Sequence, residues 1–445
     1  NLSVYEIYNR KNYVEQFHSN RLYRNDGDKF TDVTKSAGLI SFGYCLAAST
    51  ADLNNDGWPD LYITSDYSLP DFLFINQRNG TFKNESKERL RHTSHYSMGI
   101  DIADFNNDLF ADICVPDMSN KDYVKSKTNM GSMSVGTFWD NVAKGFNHQY
   151  MYNTLQLNLG SGYFSEIAHM SGVASTDWSW ASLLVDFDQD GYKDLFISNG
   201  FFRDVRDQDF TKRMKDYLAT KPTVVNVDSL ISLIPQSKEI NFAFKNSGDL
   251  TFEDVSSNWG FTSGSVSQGA AYGDLDNDGD MDLVINNLNE PAQIFENTLQ
   301  QKNYLKLKLI GSDLNPFAYG TKVIVHTNKG DQMQELNPSR GYASSSDLNL
   351  CFGLGDADSI SSVEIFWNWK EMTTIQTVPS NTTLTVDYKT SRFETTSPLY
   401  LIPSASKQFV KLKEIPFDDY KDEVLIPHKM SELGPFITAG RIHGK

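Results

Sequence analysis

The stretches Asp52–Asp60 (DLNNDGWPD), Asp104–Asp112 (DFNNDLFAD), Asp186–Asp194 (DFDQDGYKD) and Asp274–Asp282 (DLDNDGDMD) repeat one pattern. Their first acids lie 52, 82 and 88 residues apart, and the four loops hold 15 of the chain's 57 acidic side chains. A merely solvated face would not keep its acids in so strict an order. Repetition at a near-fixed period signals an array of equivalent units, so these loops frame the rest of the chain.

Counted from the first acid, positions 1, 3, 5 and 9 carry oxygen side chains. They are Asp52, Asn54, Asp56 and Asp60; Asp104, Asn106, Asp108 and Asp112; Asp186, Asp188, Asp190 and Asp194; and Asp274, Asp276, Asp278 and Asp282. Oxygen ligands on alternate residues of a tight loop suit a hard cation with flexible coordination, Ca2+. Position 7 (Trp58, Phe110, Tyr192, Asp280) would add its backbone carbonyl. Position 6 is Gly57, Gly191 or Gly279, as a turn through positive φ favours. The second loop has Leu109 there and is expected to be the distorted or empty one, so three to four ions are expected. An EF-hand would need a bidentate Glu at position 12 and a helix after it. Position 12 is instead Ile63, Val115, Ile197 or Ile285, within the β-rich runs LYIT, ICVP, LFIS and LVIN. Each loop leads into a strand.

A second repeat accompanies the first: Leu22–Thr34 (LYRNDGDKFTDVT), Phe72–Ser86 (FLFINQRNGTFKNES), Leu155–Ala168 (LQLNLGSGYFSEIA) and Phe242–Ser256 (FAFKNSGDLTFEDVS), with Gln293-IFENT as a further start. Each reads as strand, Asn/Gly/Asp turn, strand, a hairpin. Loop-strand units alternating with hairpins make small sheets. One such sheet cannot bury both faces, but sheets stacked around an axis bury one another. The expected fold is all-β: a β-propeller over 1–300 with calcium loops inside its blades. The longer spacings imply insertions near 117–150 and 200–239, the latter carrying DQDFTKRMKDYL at helix-like apolar spacing. From Asn303 the acidic loops stop. LKLKLIG, TKVIVHT, SVEIFW and TLTVDY predict a small separate β-sandwich-like domain over 301–390, then a linker and the start of a further repeat region over 391–445.

Composition excludes several classes. A net charge of −17 repels phosphate backbones, and no basic stripe with interleaved aromatics appears, so nucleic acid is not expected as a partner. No apolar run reaches the ~18 residues of a spanning helix, so any membrane attachment needs an anchor outside this chain. Cys45, Cys114 and Cys351 are too scattered for a disulfide framework or a CxxC pair and are read as buried thiols. There is no GxSxG elbow and no HExxH. His92 and His95 form a lone pair on a polar stretch, read as structural. The one unassigned charged cluster is Arg203, Asp204, Arg206 and Asp207, for which an internal ion network is the plain reading. Trp58, Trp139, Trp178, Trp180 and Trp259 could form sugar platforms, but core packing is the default.

The DxDxDGxxD-then-strand units resemble FG-GAP/VCBS repeats, the calcium-loop blades of integrin α heads. The segments NPFAYGTKVIV, RGYASSSD, FGLG and VEIFW resemble the ASPIC/UnbV domain. Together they are similar to the cartilage acidic protein family, in particular its Bacteroidota members, surface lipoproteins encoded near TonB-dependent transporters. That resemblance implies an integrin-α-like propeller of about seven blades, calcium at the four loops, and no catalytic residue. Asn368-Trp369-Lys370 departs from the family's Pro-Asp-Gly, and no loop-bearing blade precedes NRLYRN. The closing SELGPFITAG resembles the opening of another repeat, so the chain is expected to be part of a longer protein.

The function expected is a calcium-stabilised binding or scaffold module at the outer-membrane surface or outside the cell. Its partner would be an envelope or extracellular protein such as a TonB-dependent transporter complex. The alternative is a surface protein that binds or degrades polysaccharide.

Overall fold

The computed structural model describes residues 19–395 except 68, 130–133, 221–230, 232–233, 235–236 and 300–301. Parts of both insertions, and the expected linker and repeat start beyond 395, lie outside the described residues.

Hairpin β1–β2 (Tyr23–Asn25, Phe30–Asp32) precedes a four-stranded antiparallel sheet, β3 to β6 (Tyr44–Ala51, Asp60–Asp66, Phe72–Asn76, Phe82–Asn84). β7 (His92–Ser94) pairs in parallel with β10 (His148–Tyr150) across the first insertion. The second sheet is β8, β9, β11, β12 (Asp101–Ala103, Asp112–Val115, Thr154–Asn158, Phe164–Glu166). The third is β13 to β16 (Ser179–Val185, Asp194–Asn199, Phe242–Asn246, Phe252–Asp254) and the fourth β17 to β19 (Ser267–Gly273, Asp282–Asn287, Gln293–Phe295). In each of these sheets the acidic loop joins the first two strands; the hairpin repeat completes the first three, and the single strand β19 the fourth.

Why these sheets stack is visible in their side chains. β13 and β14 are buried along their whole length, as strands covered on both faces must be. One apolar cluster joins Leu53, Tyr62 and Leu73 of the first sheet to Ile102, Ile113 and Val115 of the second. Another joins Phe105 and Leu155 to Leu184, Leu195 and Phe244, and a third joins Leu183 and Phe196 to Ala270, Leu283 and Ile285. The first strands β3, β8, β13 and β17 touch in succession. The chain is thus an all-β, propeller-like array. The described residues supply four sheets and one hairpin. The count of about seven blades came with the family resemblance and has no counterpart among them.

The region from Asn303 is a two-sheet sandwich. β20 (Asn303–Ile310) runs antiparallel to β25 (Leu350–Gly355) and parallel to β28 (Thr382–Asp387). Facing it are β22, β21, β26, β27 and β29 (Gly330–Glu335, Lys322–Thr327, Ile360–Phe366, Glu371–Val378, Glu394–Thr395). Leu305, Leu307, Val323, Phe352, Val363 and Ile365 fill the space between. The sandwich has its own core and is also joined to the sheets. Its hairpin β23–β24 (Ser339–Arg340, Ser344–Ser345) leaves it and lies against β3, β13 and β17. Arg340 Nη1 there donates to Asp101 Oδ1 at 2.6 Å and to the Ile102 carbonyl at 3.2 Å, and Gly341 and Ile100 exchange backbone bonds. The RGYASSS segment is therefore the peg that joins sandwich to sheets.

The described parts of the insertions carry helices. Asp122 and Ser134 cap helices Tyr123–Thr128 and Val135–Ala143, and Asp207 caps the helix Gln208–Ala219 that the DQDFTKRMKDYL spacing predicts. They clasp each other: Asn129 Nδ2 donates to Asp204 Oδ2 (3.2 Å) and Arg206 Nη1 to the Met118 carbonyl (2.9 Å).

Candidate metal centres

The four acidic turns are built alike. The position-5 N–H of Asp56, Asp108, Asp190 and Asp278 donates to Oδ1 of the first acid of its own loop, at 2.8–3.2 Å. The position-6 N–H donates to Oδ2 of the same acid, at 2.9–3.2 Å. Trp58, Phe110, Tyr192 and Asp280 donate their N–H to the position-5 carboxylate. The ninth acid (Asp60, Asp112, Asp194, Asp282) accepts from the position-2 N–H with one oxygen. With the other it accepts from the backbone N–H of Asn76, Asn158, Asn246 or Asn297.

This framework aims oxygens at one point. In the third and fourth loops, carboxylate oxygens of Asp186, Asp188 and Asp194, and of Asp274, Asp276 and Asp282, lie within 4.8 Å of one another. The first two loops carry Asn54 and Asn106 at position 3 and converge fewer acids. Asn106 Oδ1 and Asp280 Oδ1 are enclosed without a hydrogen-bond partner among the described residues. The backbone of the second loop is not distorted, although its acids do not converge as those of the third and fourth loops do. Leu109 takes φ 68° and preserves the turn, its side chain packed against the cluster that contains Leu53 and Ile113.

Cations already touch several of these acids, Arg78 at Asp56, Lys245 at Asp188 and Asp190, Lys306 at Asp274 and Lys322 at Asp52, but burial still raises the most enclosed carboxylates. Asp60 is pushed up to about 8, first by burial and then by the charges of Asp52 and Asp56. Burial and Asp108 push Asp104 up to about 7. Asp186, again through burial, is pushed up to about 6 despite nearby Lys193. Asp112 and Asp194 lie well above the carboxylate range for the same reason. Such a set favours a divalent cation, which neutralises the cluster and replaces lost hydration with ligand oxygens.

The sandwich covers the loops. Lys322 Nζ lies 2.8 Å from Asp52 Oδ2, Lys306 Nζ 2.6 Å from Asp274 Oδ2, and Glu335 Oε2 accepts the Asp52 N–H at 3.0 Å. A Cβ on Gly57 would meet Trp369 Cβ at 2.7 Å, so Gly57 serves close approach as well as positive φ. Trp369, where the family pattern has Asp, stacks on Trp58 with centroids 5.6 Å apart. A Cβ on Gly353 would meet Asp186 Oδ2 at 2.1 Å, so the FGLG strand lies directly on the third loop.

The hairpin asparagines and Lys306, Lys322 and Glu335 were missed in the sequence. The constant Asn of FINQ, QLNL, FKNS and FENT was the available signal, but it reads equally as a turn residue. The other singled-out residues have plain roles. Arg206 pairs with Asp204 (3.2 Å) and Asp177 (3.6 Å), and Asp207 caps its helix. His92 is buried, bonded to the Tyr152 hydroxyl at 2.7 Å, and burial pushes His95 down to about 4, so this stretch is interior rather than polar surface. Trp178 and Trp180 are buried beside Phe201, Trp259 packs edge-on to Phe187, and Trp139 packs on Phe138. Cys114 is buried, while Cys45 and Cys351 are half-buried.

Comparison with known proteins matches these elements. A model of the FG-GAP-like repeat fits residues 12–63, 52–115 and 230–285, and a model described as ASPIC and UnbV fits residues 311–393. The chain carries FG-GAP-like repeats and an ASPIC and UnbV domain. It shows weak homology to cartilage acidic protein 1: 22% identity over 343 residues to the protein of Mus musculus, covering 76% of this chain and 44% of the relative. The Homo sapiens protein is 22% identical over 347 residues, covering 76% and 42%. This chain thus spans less than half the length of those relatives. Integrin alpha-3 of Mus musculus is 36% identical over 85 residues, 17% of this chain and 8% of that protein. A solved structure, the exotype rhamnogalacturonan lyase YesX, aligns with TM-score 0.27 at 11% identity over 75% of this chain and 65% of its own, too loosely to carry an argument. Among the described residues no helix is long and apolar enough to cross a membrane.

Proposed function

We propose that this chain is the calcium-stabilised core of an extracellular binding or scaffold protein. The observation that carries the reading is the set of four alike acidic turns. Calcium would be held at Asp52, Asn54, Asp56 and Asp60, and at the matching positions of the other three loops. It would add positive charge to loops whose acids outnumber the cations paired with them, and fasten each loop to its strand. Four ions would raise the formal charge from −17 to −9. Binding modules with weak to moderate calcium affinity suit extracellular, millimolar calcium. FG-GAP-like repeats and the integrin alpha-3 similarity support an extracellular or surface setting.

The partner proposed is an envelope or extracellular protein, with a TonB-dependent transporter complex as the concrete case and a glycan as the other. Affinity capture from detergent-solubilised envelopes, with calcium and again with EDTA, tests this. A stoichiometric partner retained only with calcium is expected. Equal capture in EDTA would separate binding from calcium and overturn the coupling of the two.

A further inference from the structure

The acidic loops are not independent of one another. Position 4 of each loop turns through a left-handed backbone, with φ 54° at Asn55, 60° at Asn107, 56° at Gln189 and 65° at Asn277. Three of these side-chain amides reach into the next loop and donate to its position-6 carbonyl: Asn55 Nδ2 to Leu109 O (3.2 Å), Asn107 Nδ2 to Gly191 O (3.0 Å), Gln189 Nε2 to Gly279 O (3.0 Å). The same position-6 residue donates its N–H to the first acid of its own loop. One residue is therefore held by an expected ion ligand on one side and by the neighbouring loop on the other. A second set of bonds runs backwards. Asn158 Nδ2 donates to Leu53 O (2.9 Å), Asn246 Nδ2 to Phe105 O (2.8 Å) and Asn297 Nδ2 to Phe187 O (2.7 Å), each from one sheet to the loop of the sheet before. Every adjacent pair of loops is tied twice.

We infer that the loops load calcium cooperatively, and that the position-4 amides are the positioning residues that couple them. The inference rests on the calcium reading above. Without ions, each loop must hold three or more acids close together, with its ligand oxygens only partly matched by neighbouring cations. When one loop closes on an ion, its position-6 carbonyl is fixed. That presents a fixed acceptor to the preceding amide, and the preceding position 4 is held in the left-handed turn its own loop requires. Part of the ordering cost of the second ion is thereby met by the first, which is positive coupling without a large structural change. Asn277 supplies an internal control, because its exposed amide makes no hydrogen bond among the described residues.

The test is a calcium titration of the stripped chain by isothermal calorimetry, with Asn107→Gly, Asn55→Gly and Asn277→Gly beside the unaltered protein. Glycine keeps the left-handed turn and deletes the amide. Circular dichroism and melting in saturating calcium confirm that each variant folds. The unaltered chain and Asn277→Gly should titrate with a Hill coefficient above one, the later ions binding on the order of fivefold or more tightly than the first. Asn107→Gly should lower the coefficient by weakening the coupling between loops one and two and loops three and four, the Asn246 bond to Phe105 remaining. Asn55→Gly should weaken the coupling of the first loop alone, the Asn158 bond to Leu53 remaining, and it also frees Lys322 from its bond to the Asn55 Oδ1. Independent sites in the unaltered chain, or an unchanged isotherm in both Asn107→Gly and Asn55→Gly, would overturn the coupling and leave the calcium reading standing. No calcium uptake at all would overturn both.

Discussion

At the scale of single residues, Arg340 carries more than its share. Its guanidinium is buried at 9% exposure against an Asp101 that is 1% exposed. Asp101 also accepts from the Leu184 N–H (2.6 Å) and the Ile102 N–H (2.9 Å), so three segments meet on one carboxylate. Removing one partner of a buried pair leaves an uncompensated charge, at a typical cost of ~3–5 kcal/mol. Arg340→Ala should lower unfolding stability by that order in urea titrations, and a loss below ~1 kcal/mol would show that the hairpin is not braced there. Trp369 is a milder case. Its stack on Trp58 contributes ~0.5–1.5 kcal/mol beyond area burial, so Trp369→Ala should destabilise modestly and raise solvent access at the first loop, read by hydrogen exchange.

At the scale of elements, the hairpin asparagines predict an asymmetry. Asn246 Nδ2 satisfies two buried carbonyls, Phe105 O and Lys193 O, in neighbouring loops. Asn76 Nδ2, among the described residues, reaches only the exposed Pro59 carbonyl. Leaving buried acceptors unmade costs ~1–3 kcal/mol, so Asn246→Ala should cost clearly more than Asn76→Ala in thermal melts. Equal losses would mean the inter-sheet bond contributes nothing. These elements also show what was legible from the sequence. The loops, the strands after them, the hairpins and the helix Gln208–Ala219 all follow local spacing, because the forces that shape them act within about a dozen residues. The peg at Ser339–Ser345 was not legible. Its partner Asp101 lies 239 residues away, and an Arg-Gly-Tyr turn does not announce where it docks. The inter-loop amides were hidden for a related reason: Asn at position 4 satisfies the left-handed turn by itself, so its second bond leaves no separate trace. Leu109 misled because glycine is the usual, not the only, residue that takes positive φ.

At the scale of the whole molecule, four acidic loops, four stacked sheets and one sandwich share an interior rich in carboxylates, and this sets a pH dependence with a definite sign. Asp60, Asp104 and Asp186 are pushed up to about 8, 7 and 6, whereas an unfolded chain titrates near 4. The calcium-free folded state therefore holds these protons more tightly than the unfolded one. Their contribution to stability is full below about 4 and is lost as pH rises from about 4 through about 8. In chelator the melting temperature should be higher at pH 5 than at pH 8. In excess calcium the slope should reverse, because protons then compete with the ion; calorimetric scans at both pH values check this. The most direct measurement is the calcium content of the stripped chain after dialysis against millimolar calcium, read by inductively coupled plasma mass spectrometry against protein concentration. Three to four ions per chain are expected, with the third and fourth loops among the sites filled. A content near zero would contradict the calcium-stabilised reading outright.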